Sequence, residues 1–261
     1  MSNIMLPEPH EILSVTHETK AEYTFRVAYG SLTKHGQFFQ LSIPKVGEAP
    51  ISVSAKGDGW VEFTIRKVGK LTEGIFGLKR GDTLFMRGPY GNSFPVENFQ
   101  GKDLVVIAGG TGLAAVRSLL NHYFDNTGEV KSIYLTAGFR DIDCVLFADD
   151  LKKFKTAFNT VYALDTKAEG FETGLVTAHV KSIPFGAFED YNVVIVGPPL
   201  MLKSAVKECL AQNAAESKIW LSFERKMSCA VGKCGHCKVN GTYVCLEGPI
   251  FNYKNVKNMV D

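Results

Sequence analysis

The sequence has no apolar run approaching the ~20 residues that a membrane-spanning helix requires. Its opening, MSNIMLPEPHEIL, has no basic region followed by a long apolar stretch, so it does not read as a secretory signal. A soluble, cytoplasmic protein is the expectation. Nor is there an excess of charge of one sign. With 29 basic against 27 acidic residues the formal net charge is +2, which gives no electrostatic reason to expect nucleic acid or an anionic membrane as partner. Internal repeats and low-complexity segments are absent. So is a spread-out cysteine framework: of six cysteines, Cys229, Cys234, Cys237 and Cys245 crowd one short segment. In a reducing compartment that crowding favours a metal site over disulfides.

The 261 residues, 45% hydrophobic and 21% charged, are enough for one large or two modest domains plus an appendage. The first hundred or so read as short strands. Trp60–Arg66 alternates apolar and polar side chains, the period of a half-buried strand. Ile12–Val15, Tyr23–Val27, Gln37–Ser42, Ile51–Ser54 and Thr83–Arg87 are weaker candidates, separated in several places by glycine-rich turns. This spacing predicts a small antiparallel barrel or sandwich. The style then changes. Leu104–Ala108, Ile133–Ala137, Val161–Leu164 and Val193–Val196 are continuous apolar runs, interleaved with helix-like Leu113–Phe124, Leu151–Phe158, Leu175–Val180 and Met201–Gln212. Buried strands alternating with helices predict a parallel sheet covered on both faces. The join falls in the polar stretch Val96–Lys102, and a third style rich in Cys, Gly and Lys begins after Trp220. The expected domains are therefore residues 1–98, 99–220 and 221–261.

The cysteine spacing is Cys229-x4-Cys234-x2-Cys237-x7-Cys245. Its first three members match the C-x4-C-x2-C run of plant-type [2Fe–2S] proteins, which add a more distant fourth. Four thiolates converging on two irons require the backbone to curl around the cluster with N–H groups facing sulfur. Bulky side chains would obstruct this, and Gly232 and Gly235 fall inside the loop. Asn240-Gly241 lies between two β-prone triplets, the signal for a two-residue type I′ hairpin. If Val239 pairs with Thr242, Cys237 lies opposite Val244, and Cys245 returns to its neighbourhood. The rival is a structural zinc site using the four cysteines or His236; only one C-x2-C pair is present, whereas zinc knuckles usually have two. Cys144 and Cys209 sit singly in apolar surroundings and read as buried small hydrophobes.

Gly109-Gly110-Thr111-Gly112 follows the first buried strand and opens a helix. A glycine turn there lets backbone N–H groups and a helix N-terminus face an anion, although the spacing is not G-x-G-x-x-G. Gly197-Pro198-Pro199-Leu200-Met201 follows the last buried strand, with prolines where missing N–H groups do no harm. Both loops fall at carboxyl ends of strands, where open α/β sheets bind ligands. Two of them argue for a dinucleotide better than either alone.

Together the motifs resemble the ferredoxin–NADP reductase superfamily over nearly the whole chain. Ala49-Pro50-Ile51-Ser52 occupies the place of that family's flavin motif, Arg-x-Tyr/Ile-Ser. Val68-Gly69-Lys70-Leu71-Thr72 is similar to its second flavin segment, and Gly88-Pro89-Tyr90-Gly91-Asn92 to the turn closing the flavin barrel. Gly109–Ala114 resembles the nicotinamide loop, and Gly197-Pro198-Pro199-x-Met201 the late Gly-Pro-Pro-x-Met loop. A C-terminal cluster segment narrows the resemblance to iron–sulfur electron-transfer subunits: those of dihydroorotate dehydrogenase, hydrogenases (γ subunits), bifurcating transhydrogenase and anaerobic sulfite reductase. Leu6-Pro7-x-x-His10-Glu11-Ile12-Leu13, the tail Phe223–Cys237 and the short x7 gap place it nearest the electron-transfer subunit of anaerobic sulfite reductase. Two residues depart from the pattern. The flavin-motif arginine is Ala49, with Arg66, Lys67 or backbone amides in its stead, and Ala115 stands where proline usually follows Leu113-Ala114.

The resemblance implies an N-terminal antiparallel Greek-key flavin barrel, a central parallel α/β nucleotide-binding domain and a C-terminal [2Fe–2S] segment. It implies an NAD(P)H-dependent oxidoreductase subunit holding FAD (FMN less so), NADH or NADPH and [2Fe–2S]. FAD would be held by Pro50, Ile51, Ser52 and Val53 and by Arg66, Lys67, Val68, Gly69, Thr72 and Glu73. The nicotinamide dinucleotide would lie on Gly109, Gly110, Thr111, Gly112, Gly197, Pro198, Pro199 and Met201, with Ser52 and Thr111 nearest the reacting atoms. Cys229, Cys234, Cys237 and Cys245 would hold the cluster. The expected partners are an iron–sulfur ferredoxin-like subunit and a sirohaem sulfite-reducing subunit in a hetero-oligomer. Hydrogenase, dihydroorotate or transhydrogenase partners are the redox alternative. A zinc-stapled nucleotide-binding regulatory protein is the alternative of another class. Arg140 either accepts a 2′-phosphate or is a surface cation paired with Asp141 or Asp143.

Overall fold

Six strands close an antiparallel barrel in a computed structural model that describes residues 4–259. They are β1 (Glu8–His17), β2 (Glu22–Ala28), β3 (Phe38–Ile43), β4 (Gly47–Gly57), β5 (Trp60–Arg66) and β6 (Thr83–Tyr90). The order around the barrel, β1-β2-β5-β4-β3-β6, is a Greek key. On β5 the alternating pattern sends Val61, Phe63 and Ile65 into a core shared with Phe25, Phe39, Leu41, Val53, Leu84 and Met86. Phe39 and Phe63 meet edge to face with ring centroids 5.4 Å apart. The other face of β5 departs from the simple pattern, because Glu62 and Thr64 are buried as well. Thr64 shares hydrogen bonds of 2.9 and 3.0 Å with Thr24 and Ser54, and Glu62 pairs with Arg26 at 2.7 Å. These groups tolerate burial because each has a partner.

A short helix that the periodicity does not reveal, α1 (Lys70–Phe76), follows β5 and drives Ile75 into the barrel core. The Thr72 hydroxyl accepts the Val68 and Gly69 N–H groups at 2.9 and 3.1 Å.

The chain then passes through α2 (Val96–Phe99), whose Phe99 joins a different core. Here β7 (Asp103–Gly109), α3 (Gly112–Asp125), β8 (Ser132–Phe139), α4 (Ala148–Phe154), β9 (Asn159–Leu164), β10 (Glu172–Thr173), β11 (Tyr191–Val196), α5 (Pro199–Ala211) and β12 (Ile219–Ser222) alternate. The helix expected over 151–158 begins and ends earlier, and the one expected over 175–180 is a 3-10 segment, Val176–Ser182. A hairpin of β13 (Lys238–Val239) and β14 (Thr242–Tyr243) leads to α6 (Val244–Glu247), β15 (Ile250–Asn252) and α7 (Tyr253–Val256). The sheet order is β10-β9-β8-β7-β11-β12-β15, parallel except that β15 runs antiparallel to β12.

The chain divides into two units. One comprises the barrel and Arg225–Pro249; the other comprises Phe94–Glu224 and the segment from Ile250 onward. The cysteine-rich segment therefore belongs with the barrel, while the strand that follows it completes the sheet. No helix among the described residues is long and apolar enough to cross a membrane.

Candidate cofactor-binding sites

The loop from Cys229 to Cys245 curls through residues with positive φ: Ala230 at 60°, Gly232 at 70° and Gly235 at 79°. The two glycines adopt this left-handed backbone without steric cost, and Ala230 adopts it despite its Cβ. The curl turns successive N–H groups onto sulfur. Val231, Lys233 and Cys234 donate to Cys229 Sγ at 3.5, 3.3 and 3.4 Å, and Gly232 donates to Cys245 Sγ at 3.3 Å. Lys238↔Tyr243 and Val239↔Thr242 pair as the spacing predicts. Asn240 and Gly241 have φ of 45° and 92°, the type I′ combination. Val244 N–H donates to Cys237 O at 3.4 Å, so the hairpin returns Cys245 beside Cys237.

All four thiols are unpaired by disulfides; Cys229, Cys237 and Cys245 are buried and Cys234 is exposed. N–H groups of His236 and Cys229 pull the Cys234 thiol down to about 7, towards the thiolate that ligates metal. Burial, then the neighbouring Cys237, pushes Cys245 up to about 12. A loop that aims amides at crowded sulfurs suits an anionic iron–sulfur core. Among the described residues no three His, Cys, Asp or Glu side chains are grouped as one metal ion needs. A two-iron cluster asks for something different, thiolates spread around a wider core.

Both ends of this loop are tied to the barrel by residues whose role the sequence does not announce. Arg87 on β6 is 6% exposed. Its guanidinium donates to Ser228 O at 2.9 Å and Cys229 O at 2.8 Å. It also grips the Glu48 carboxylate through two hydrogen bonds, one of them 2.8 Å from Nε, and donates to Tyr90 Oη at 3.1 Å. Glu48 holds the guanidinium charged well beyond the ordinary arginine range. At the other end, Asn92 N–H donates to Gly248 O at 2.6 Å and Asn92 Nδ2 to Glu247 O at 2.8 Å. Gly91 is required there: at φ 74° a Cβ would lie 2.7 Å from Pro249 and 2.8 Å from Gly248 O. The one legible signal for Arg87 was a charged residue inside a strand, directly before the Gly-Pro turn.

Glu48, Ala49 and Pro50 face Arg225–Ser228 across a pocket of about 430 Å3. The flavin-motif strand β4 thus runs beside the residues that lead into Cys229. Of the expected flavin residues, Ser52 is half-buried, whereas Val53 is fully buried in the barrel core and gives its N–H to Gln37 O at 3.0 Å. Ile51 packs at the edge of the same core. Arg66 is committed to Glu22 at 2.5 Å, so serving as substitute for the guanidinium missing at Ala49 would compete with that pair.

In the sheet, β7 and β11 are neighbours with Ala108 opposite Val196, and the chain progresses from them in opposite directions across the sheet. That is a topological switch point, where open α/β sheets bind ligands. Two helices, α3 and α5, start at its mouth. Gly112 permits the two loops to touch, since a Cβ there would lie 2.6 Å from Val196 O. Gly110 at φ 53° donates to Gly138 O at 2.8 Å, and Thr111 occupies the N-cap position of α3. The Met201 sulfur fills the space against both loops, 2.4 Å from a Cβ built at Gly109 or at Gly197. Pro198 and Pro199 are exposed beside it. Arg140 pairs with Asp141 at 2.8 Å, as the surface-cation alternative has it, and contacts Cys144 Sγ at 3.2 Å.

Comparison with known proteins agrees with both halves of this geometry. Residues 106–207 match the oxidoreductase NAD-binding domain, and 224–257 match the iron–sulfur cluster binding domain of dihydroorotate dehydrogenase B. Sulfhydrogenase 1 subunit gamma of Pyrococcus furiosus is 36% identical over 94% of this chain and 89% of its own. Sulfhydrogenase 2 subunit gamma of the same organism is 35% identical over 84% and 83%. A probable dihydroorotate dehydrogenase B (NAD(+)) electron transfer subunit of Methanocaldococcus jannaschii is 31% identical over 92% and 87%. Among solved folds, a chain of an NADH-dependent reduced ferredoxin–NADP oxidoreductase superposes with a TM-score of 0.79 at 21% identity, covering 96% of this chain and 92% of that one. A ferredoxin–NADP+ reductase from Neisseria gonorrhoeae with bound FAD and NADP gives a TM-score of 0.67 at 21% identity over 78% and 91%. The chain belongs to the iron–sulfur electron-transfer subunit family of the ferredoxin–NADP reductase fold, NAD(P)H-dependent oxidoreductase subunits that use FAD and an iron–sulfur cluster.

Proposed function

We propose that this chain oxidises NADH at the β7/β11 crevice and delivers the electrons through FAD and a [2Fe–2S] cluster to a partner subunit of the hydrogenase or dihydroorotate dehydrogenase class. The observation that carries the reading is the shared unit of flavin-motif strand and cysteine loop, with Ala49-Pro50 facing Arg225–Ser228. Flavin accepts electrons as a pair and releases them singly, which a one-electron cluster needs.

The chain's own residues bind and orient. The Gly109–Gly112 loop and the start of α3 face the dinucleotide's pyrophosphate; Thr111, Gly197, Pro198, Pro199 and Met201 bound the nicotinamide end. Pro50, Ile51 and Ser52 border the flavin ring, Ser52 by a hydrogen bond, with Val53 supporting them from the core. Arg66, Lys67, Val68, Gly69, Thr72 and Glu73 line its phosphate side. Cys229, Cys234, Cys237 and Cys245 are the cluster ligands. The sirohaem sulfite reductase and ferredoxin-like partners suggested by the tail motif rank behind this reading, because the relatives named above are hydrogenase and dihydroorotate dehydrogenase subunits. Affinity purification of the tagged chain from its native host, with mass spectrometry of retained subunits, is the test. A hydrogenase or dihydroorotate-oxidising subunit is expected; a sirohaem protein would reinstate the sulfite assignment.

A further inference from the structure

We propose that Arg87, held by Glu48, is a positioning residue that docks the Cys229 arm of the cluster loop on the barrel and favours the reduced cluster through its positive charge. The proposal rests on the flavin and [2Fe–2S] reading above. Three observations carry it. The guanidinium is buried, and buried charge is retained only with compensating partners. Its Nη1 donates to Cys229 O at 2.8 Å and its Nη2 to Ser228 O at 2.9 Å, both on the cluster loop. Its Nε and the Nη2 that also serves Ser228 O are clamped by the Glu48 carboxylate, one residue before the flavin-motif position Ala49. Gln40 Nε2 reaches the same Ser228 carbonyl at 3.5 Å, so that carbonyl is drawn inward by two barrel residues.

The arrangement orders the charges. The guanidinium bridges the Glu48 carboxylate and the Cys229 carbonyl, so the cation is the member of the pair in direct contact with the cysteine arm. Reduction adds one negative charge to the cluster, and that charge interacts more strongly with the nearer cation than with the farther anion. Removing the cation leaves Glu48 uncompensated and opposes reduction; neutralising Glu48 alone does the reverse.

The test is an EPR-monitored redox titration of the cluster in the intact wild-type protein and in Arg87→Gln, Arg87→Lys, Glu48→Gln and the double variant, each assayed first for iron content. Arg87→Gln is expected to disfavour cluster reduction by on the order of tenfold, about 59 mV for one electron. Glu48→Gln is expected to shift the potential the opposite way, Arg87→Lys to shift it little, and the double variant to fall between the two single ones. If Arg87→Gln fails to hold iron, Glu48→Gln still decides the sign, with Arg87→Lys as the charge-conserving control. An unshifted potential in iron-replete Arg87→Gln or Glu48→Gln, or shifts of the same sign from both neutralisations, would overturn the proposal. A wild-type protein without a [2Fe–2S] signal would instead overturn the functional reading beneath it.

Discussion

The division of labour among the six cysteines is the sharpest residue-scale result. Four converge in a loop of inward-facing amides, and two stand apart. Cys209 is fully buried on α5, and burial pushes its thiol up to about 12. Its protonated form persists throughout the neutral range, so it offers no thiolate to a reagent. Cys144 is half-buried beside Arg140. Mass-mapped thiol labelling of the native, cluster-loaded protein at pH 8 should therefore modify Cys144 first and leave Cys209 untouched until unfolding. Chelation and reduction should then expose the four loop thiols. Rapid labelling of Cys209 in the folded protein would contradict its placement. Single Cys→Ser changes at Cys229, Cys237 or Cys245 should abolish the cluster's visible absorbance while flavin absorbance remains.

At the scale of elements, the crevice between β7 and β11 depends on a glycine that no larger residue can replace. Gly112→Ala places a methyl 2.6 Å from a backbone oxygen, where no side chain can move aside. The expected cost is about 1–3 kcal/mol of stability from overpacking, with slower flavin reduction by NADH because the loop is displaced. Gly186→Ala, which meets nothing within 4 Å, is the control and should be silent in thermal unfolding and stopped-flow measurements. In the barrel, Phe63→Ala empties a fully enclosed ring site and should cost about 3–5 kcal/mol, read as a fall in the denaturation midpoint.

The same scale shows what the sequence can and cannot disclose. Trp60–Arg66 is legible to the residue because its alternating apolar side chains meet one core. The Asn240-Gly241 hairpin is legible because a type I′ turn demands two positive φ values that few other residues accept. Helix α1 is hidden because two turns are too short to display a 3.6-residue period. Strand β15, read together with the cluster segment, goes instead to the sheet edge beside β12, a pairing set by long-range contact alone. Arg87 and Glu48 escape for the same reason: an ion pair between strands carries no local periodicity. The cysteines, glycine loops and proline turn announce themselves because their spacing and residue types form recognisable local motifs; the side chains that hold those loops in place form none.

For the molecule as a whole, the chain divides into two units, a barrel carrying the cysteine loop and a parallel sheet with the β7/β11 crevice. On the function proposed above, the two units carry separable half-reactions. Damage to the crevice should slow reduction of the flavin, and damage to the cysteine loop should leave that step intact while blocking onward transfer. Gly112→Ala and Cys245→Ser, assayed for flavin bleaching by NADH and for reduction of a one-electron acceptor, should show that split.

The most direct measurement is an EPR spectrum of the anaerobically purified protein, frozen after mixing with NADH. Electron transfer through this chain predicts bleached flavin absorbance together with the paramagnetic signal of a one-electron-reduced [2Fe–2S] cluster, lost in Cys245→Ser. Bleached flavin with no cluster signal, or a colourless protein carrying zinc, would contradict it.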